Sequence, residues 1–248
     1  MIKPHGSDTL NPLLVDDARR AELEKEAEGL PKVVVSSATA ANAVMMGSGY
    51  FNPLTGYMDL EDALMTSDKM VMKNGTFFPV PVLNLLPDVS AIEGAGRIAL
   101  CDPNVDGNPV LAIQTVEKIE EATADQMKLM TDQVYRTDDT EHPGVAAFNG
   151  QGNFIVSGPI EVLNLSYFAS EFEGTFKTAG EIRDMIAKNG WNKVVAFQTR
   201  NPMHRAHEEL VRIAMDRVGA DGAVIHMLLG KLKKGDIPAD VRDACIRK

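Results

Sequence analysis

Residues Gln198 to Glu208 read Gln-Thr-Arg-Asn-Pro-Met-His-Arg-Ala-His-Glu and join a β-branched run, Lys193 to Phe197, to an amphipathic stretch of helical period that reaches Val218. A strand that turns sharply into a helix restricts the fold strongly, because of what flanks it. Upstream, Thr178-Ala179-Gly180-Glu181 has the capping-box pattern and starts a helix that runs to Asn189 and stops at Gly190. Downstream, a helix from about Met203 to Val218 stops at Gly219, and the apolar run Ala223 to Leu229 is a second strand. Helix, strand, helix, strand implies a parallel sheet. After Gly230 to Pro238 a further helix begins at Ala239 and is barely three turns long at Lys248. So few strands cover a parallel sheet poorly, so the expectation is an incomplete domain whose remaining strands lie beyond residue 248.

The preceding residues have another rhythm. A helix at Asp16 to Glu28 is stopped by Gly29, and a short one after Ser37 ends in Gly47-Ser48-Gly49. Strand-type runs follow at Phe77 to Leu86, Arg97 to Cys101, Val110 to Val116 and Asn153 to Val156, separated by turn clusters such as Asp102-Pro103-Asn104. Pro79 and Pro81 demote the first run to an edge or bulged strand. These runs predict a small mixed domain with a mostly antiparallel sheet or barrel. At 248 residues two domains are expected, residues 1–168 and residues 169–248.

Charge divides the same way. The net charge is −10, but residues 1–170 carry 11 Lys and Arg against 24 Asp and Glu, a net of −13, which leaves +3 for the rest. An acidic first domain argues against nucleic acid as a partner, RNA included. The basic remainder suits small polyanions, with plain surface scatter as the alternative reading. No apolar run approaches the roughly 18 residues of a membrane span. The N-terminus lacks a signal-peptide core, and Cys101 and Cys245 have no metal-ligand spacing, so a cytoplasmic protein is expected.

Ligands of open parallel sheets bind beyond the carboxyl ends of the strands, where Gln198 to Asn201 fall, and a helix N-terminus there favours an anion. Arg200 supplies a planar fork for a tetrahedral oxyanion, while Gln198, Thr199 and Asn201 add neutral donors. His204 and His207, three apart, are expected on one face of the first helical turn, within reach of one phosphate chain. The corner holds no serine, cysteine or aspartate nucleophile, so its chemistry is positioning and charge neutralisation, which suffices for nucleotidyl transfer.

Blander readings stand beside these. The histidines could be zinc ligands, but Arg205 follows the first and the step is three, unlike the metalloprotease pattern. Either could be a capping or core histidine. Glu208 reads as a solvated or dipole-compensating acid, Lys231, Lys233 and Lys234 as pyrophosphate contacts or a solvated loop, and His142 before Pro143 as a turn residue. Met45, Met46, Met70, Met72 and the Met127–Met130 helix read as core filler, and Cys101 as a buried small hydrophobe.

Gln198 to Glu208 resembles the signature of the ATP sulfurylase (sulfate adenylyltransferase) family. The resemblance extends to Lys3-Pro4-His5-Gly6, to Gly49 through Met58, to Asp139-Thr140-Glu141-His142-Pro143-Gly144-Val145 and to Gly158-Pro159-Ile160-Glu161. It implies an α+β fold class for the first domain, a PUA-like β-barrel, followed by an α/β Rossmann-like nucleotidyltransferase domain of the HUP type, here incomplete. It implies the reaction of ATP and sulfate to adenosine 5'-phosphosulfate and pyrophosphate. Gln198 and Arg200 would hold sulfate; Thr199, Arg200 and Asn201 would be active-site residues; His204 and His207 would stabilise the phosphate chain. Magnesium (Mg2+) is implied by the charge of ATP rather than by a ligand motif, no tightly bound cofactor is expected, and a homo-oligomer, a dimer by preference, is. Two departures matter. The family's Gly-Arg-Asp-His-Ala-Gly stretch is absent, so a non-catalytic fragment or binding module is the alternative. The Lys-rich stretch His226 to Ile237 resembles forms from sulfur-oxidising or sulfate-reducing bacteria, which implies a reaction run toward ATP.

Overall fold

The computed structural model describes residues 2–230 and 235–248. The chain divides into two compact units, one of residues 3–166 and one essentially of residues 167–248.

In the first unit the helices begin where a polar side chain can take an otherwise unpaired N–H. Asp16 caps α1 (Asp17–Glu28), and after β1 (Lys32–Val34) Ser36 caps α2 (Ser37–Gly47). Following β2 (Gly56–Tyr57), Asp59 caps α3 (Leu60–Lys69). The strands β3 (Leu85–Leu86), β4 (Arg97–Cys101), β5 (Val110–Thr115) and β6 (Lys118–Glu121) come next. Thr123 and Gln126 form a reciprocal capping box on α4 (Ala124–Tyr135), and His142 Nδ1 accepts from the Gly144 and Val145 N–H groups at the start of α5 (Pro143–Asn149). His142 is thus a turn and cap residue. The last strand is β7 (Phe154–Val162).

β7 organises the sheet. In the order β1-β4-β5-β7-β2 only β1 and β4 run parallel, and β3 and β6 also pair with β7. Its first half, Phe154 to Ser157, meets β6, and its last residues, Ile160 to Val162, meet β5. Between them Gly158 sits at φ +134°, a conformation closed to most side chains, and a Cβ there would lie 2.1 Å from the Thr115 carbonyl oxygen. The partner strand crosses equally closely: a Cβ on Gly56 would be 2.0 Å from the Gly158 oxygen. Ile98, Leu100, Leu111, Ile113 and Ile155 pack the interior, each worth about 1.5–3 kcal/mol of burial.

Some expectations need correction. Phe77 to Leu86 is strand only at Leu85–Leu86, since the prolines remove ladder donors earlier in the run. The strand expected to end at Val156 continues to Val162 through Gly158-Pro159. Met46 and Met72 are core, but Met70 is exposed at the left-handed end of α3, φ 54°. Cys101 is buried, and that burial raises its thiol pKa.

The second unit opens with α6 (Phe168–Glu171) and α7 (Ala179–Lys188), the latter starting at the expected Thr178–Glu181 capping box. Then come β8 (Val194–Thr199), α8 (Arg205–Val218), β9 (Gly222–Met227) and α9 (Ala239–Arg247). β8 and β9 pair in parallel from Val194↔Gly222 to Thr199↔Met227. Asp221 pins this register: its carboxylate accepts the Asn192 and Lys193 N–H groups at 2.8 and 2.9 Å, which hold its pKa below the ordinary range. Two strands cover little, and Leu210, Ile213 and Val218 on α8 remain about half exposed. Among the described residues no helix is long and apolar enough to cross a membrane.

Candidate functional site

β8 runs two residues further than its β-branched core predicts, so Gln198 and Thr199 belong to the strand and the turn begins at Arg200. Alternation then separates them. Gln198 leaves the sheet on the face opposite its neighbours Phe197 and Thr199, and stands in register beside His226 of β9, both exposed. Phe197 lies on the other face, with its ring 5.8 Å from that of His207. The strand therefore does not direct Gln198 toward the histidine pair.

Thr199 is 7% exposed, and its hydroxyl serves the turn. Oγ1 donates to the Asn201 carbonyl at 2.9 Å and accepts from the Asn201 N–H at 3.0 Å, closing the corner on itself. Arg200 projects outward, its side chain 61% exposed and its guanidinium 3.4 Å from the Asp236 carboxylate. Its main chain is held from below, where Nη1 of the buried Arg242 donates to the Arg200 carbonyl at 3.3 Å and to the Leu228 carbonyl at 2.6 Å. Leu228 in turn donates its N–H to the Thr199 carbonyl at 3.0 Å.

His204 does not lie in the first helical turn, as the spacing suggested. It is the N-cap, with extended backbone at φ −132°, and the helix begins one residue later at Arg205. From there it still meets its partner: the ring centroids of His204 and His207 are 4.0 Å apart. The His204 N–H donates to His207 Nδ1 at 3.4 Å, which places the His207 proton on Nε2 and leaves that edge as a donor. Glu208, the first-turn acid, is exposed and paired with Arg212 at 2.9 Å, one turn along the same helix.

The corner thus presents two imidazoles at a helix N-terminus, an outward guanidinium and a buried arginine behind it, an arrangement that neutralises oxyanions and contains no activated nucleophile. It is an open surface. The polar cleft of about 330 Å³ in the first unit offers less for this chemistry, since Lys73, the cation on its wall, is bonded to Asp59 at 2.7 Å. Among the described residues no cluster of three or more His, Cys, Asp or Glu could hold a metal ion. Lys231, Lys233 and Lys234 lie outside the described residues. Sequence reasoning missed Asp236, in the loop before α9, and Arg242, on α9, which lie 36 and 42 residues after Arg200 in the chain; it also passed over His226, whose signal is the parallel register with Gln198.

A family model described as a PUA-like domain matches residues 2–165, and one described as ATP-sulfurylase matches residues 173–248. Curated relatives include the sulfate adenylyltransferases of Alcanivorax borkumensis, 61% identical, and Allochromatium vinosum, 60% identical; each match spans 100% of this chain and 62% of the relative. That of the Riftia pachyptila sulfur-oxidizing endosymbiont is 58% identical over 100% of the chain and 56% of its own length. Among solved structures, the hexameric APS kinase from Thiobacillus denitrificans superposes with a TM-score of 0.70 at 23% identity, covering 100% of this chain and 43% of that one, which bears on fold alone. The chain thus spans about three-fifths of the curated relatives it matches.

Proposed function

Since the chain belongs to the ATP-sulfurylase family, with a PUA-like domain followed by an ATP-sulfurylase domain, we propose that it serves a sulfate adenylyltransferase. The reaction joins sulfate to the α-phosphate of ATP and releases pyrophosphate. The domains would span residues 1–168 and 169–248, close to the observed division into two compact units. The observation that carries the reading is the 4.0 Å imidazole pair at the start of α8, on the turn that also bears Arg200.

In this reading a sulfate oxygen attacks the α-phosphorus in line, one P–O bond forms, and the bond from the α-phosphorus to the bridging oxygen breaks toward pyrophosphate. Nothing in the corner needs to become covalently attached. Arg200 grips sulfate through two parallel N–H donors with Asn201 beside it, and Gln198, which the strand turns away from the histidine pair, would have to swing its amide round the end of β8 to join them. His207 offers Nε2–H, and His204 lies beside it, to the oxygens on which charge grows as pyrophosphate departs. Thr199 contributes by shaping the turn. Magnesium enters with ATP as part of the substrate, in keeping with its preference for phosphate oxygens over an all-protein cage. The relative from a sulfur-oxidizing endosymbiont favours operation toward ATP in the cell. A soluble, cytoplasmic homo-oligomer, a dimer by preference, completes the proposal.

The test is ATP formation from adenosine 5'-phosphosulfate and pyrophosphate by the protein as its reading frame encodes it, followed by luciferase light. Sustained, pyrophosphate-dependent light supports the reading. Its absence from correctly folded protein overturns it in favour of a non-catalytic binding module.

A further inference from the structure

α9 is built inside out. Its one buried residue is a cation, Arg242, 2% exposed, while the neighbouring Val241 is 45% exposed. An amphipathic helix would place the valine inward, and a fully desolvated guanidinium costs several kcal/mol unless it is compensated. Compensation here comes from carbonyls alone: Nη1 reaches Arg200 O and Leu228 O, Nε is sealed without a hydrogen-bond partner, and among the described residues no carboxylate lies within 4.0 Å. A local rule broken at such cost marks a place where another requirement outweighs stability.

We propose that Arg242 is a positioning residue of the anion site. It binds the carbonyls that follow β8 and β9, fixing the main chain from which the Arg200 side chain projects. It also occupies the negative ends of two carbonyl dipoles that would otherwise oppose an anion at the strand ends, and leaves a net positive charge behind them. The ligand class is a small tetrahedral oxyanion, sulfate in the proposed reaction. This inference rests on that reading for its kinetic arm and not for its binding arm.

The experiment uses Arg242→Lys and Arg242→Ala in the full-length protein. Loss of one charge-assisted hydrogen bond behind the site should raise the KM for sulfate about tenfold or more in Arg242→Lys, with the KM for ATP within about twofold. For Arg242→Ala, guanidinium chloride at millimolar concentration should restore sulfate saturation, whereas urea, of similar shape without charge, should not. An unchanged sulfate KM, a parallel rise of both KM values, or equal rescue by urea would overturn the proposal while leaving the sulfate adenylyltransferase reading intact. Were the parent protein inactive, that reading would fall. The dissociation constant of inorganic sulfate, followed through the Arg200 side-chain NMR signals, would then decide: weakened binding in Arg242→Lys supports the role, and unchanged or undetectable binding overturns it.

Discussion

Replacing Arg200 with lysine separates a fork from a point charge at the same position. Each hydrogen bond to a charged group is worth about 1.5–3 kcal/mol, and lysine keeps one such contact where arginine makes two. Against this stands the Asp236 partnership, which sulfate must displace. It is 3.4 Å long and its arginine is 61% exposed, so solvent screening limits it to about 0.2–1 kcal/mol, a cost both side chains share in part. The net loss in Arg200→Lys is therefore about 1–3 kcal/mol, which at about 1.36 kcal/mol per decade is roughly 5- to 160-fold in kcat/KM for sulfate. The assay is sulfate-dependent pyrophosphate release under initial-rate conditions, with ATP saturating. Turnover within twofold of the parent would show that Arg200 does not clamp the anion, and the mechanism built on it would have to be abandoned.

His207→Ala should lower kcat by about 10²–10³ with little change in the KM for sulfate, as loss of a donor aimed at developing charge does, and the double variant with His204→Ala should lose less than the product of the two effects; additive losses would mean that the rings act separately. In the first unit, Gly158→Ala drives a Cβ into the Thr115 carbonyl and should cost at least about 3 kcal/mol, a fall in melting temperature of roughly 6–12 °C by calorimetry. An unchanged melting temperature would contradict the crossing geometry. Burial works to raise the pKa of the Asp59 carboxyl, but the ammonium groups of Lys118 and Lys73 and the Asp62 N–H outweigh it and hold it well below the ordinary range. A depressed carboxylate stabilises above its unfolded pKa of about 3.9 and loses that contribution as pH falls toward the folded value. The gap in urea midpoint between the parent and Asp59→Asn should thus be full at pH ~7 and shrink below pH ~4, and a gap constant with pH would refute the assignment.

What could be read in advance was what lies close together along the chain. α1, expected from Asp16 and found from Asp17 with Asp16 as its cap, α7 with its capping box and the strand Arg97–Cys101 follow from short-range signals. The parallel pairing around the corner is also as expected. Two of the missed elements depend on remote partners: β1 and β2 are two or three residues long and are strands only because β4 and β7 lie beside them, whereas α3 carried a local signal in its Asp59 cap that was passed over. At the corner, residue types were legible and their directions were not. The end of β8 was hidden because Gln198 and Thr199 continue a ladder with β9, and that continuation turns Gln198 to the other face. Arg242 was invisible because its burial contradicts the amphipathic pattern from which burial is inferred.

The dependence of four strands on β7 has a temporal side. During synthesis β2, β3, β5 and β6 all emerge before the segment that unites them, and at about 5–20 residues per second Phe154–Val162 follows the end of β2 only after several seconds. Until then the nascent chain offers open strand edges to any neighbour, and the first domain closes in one late step when its final strand clears the ribosome.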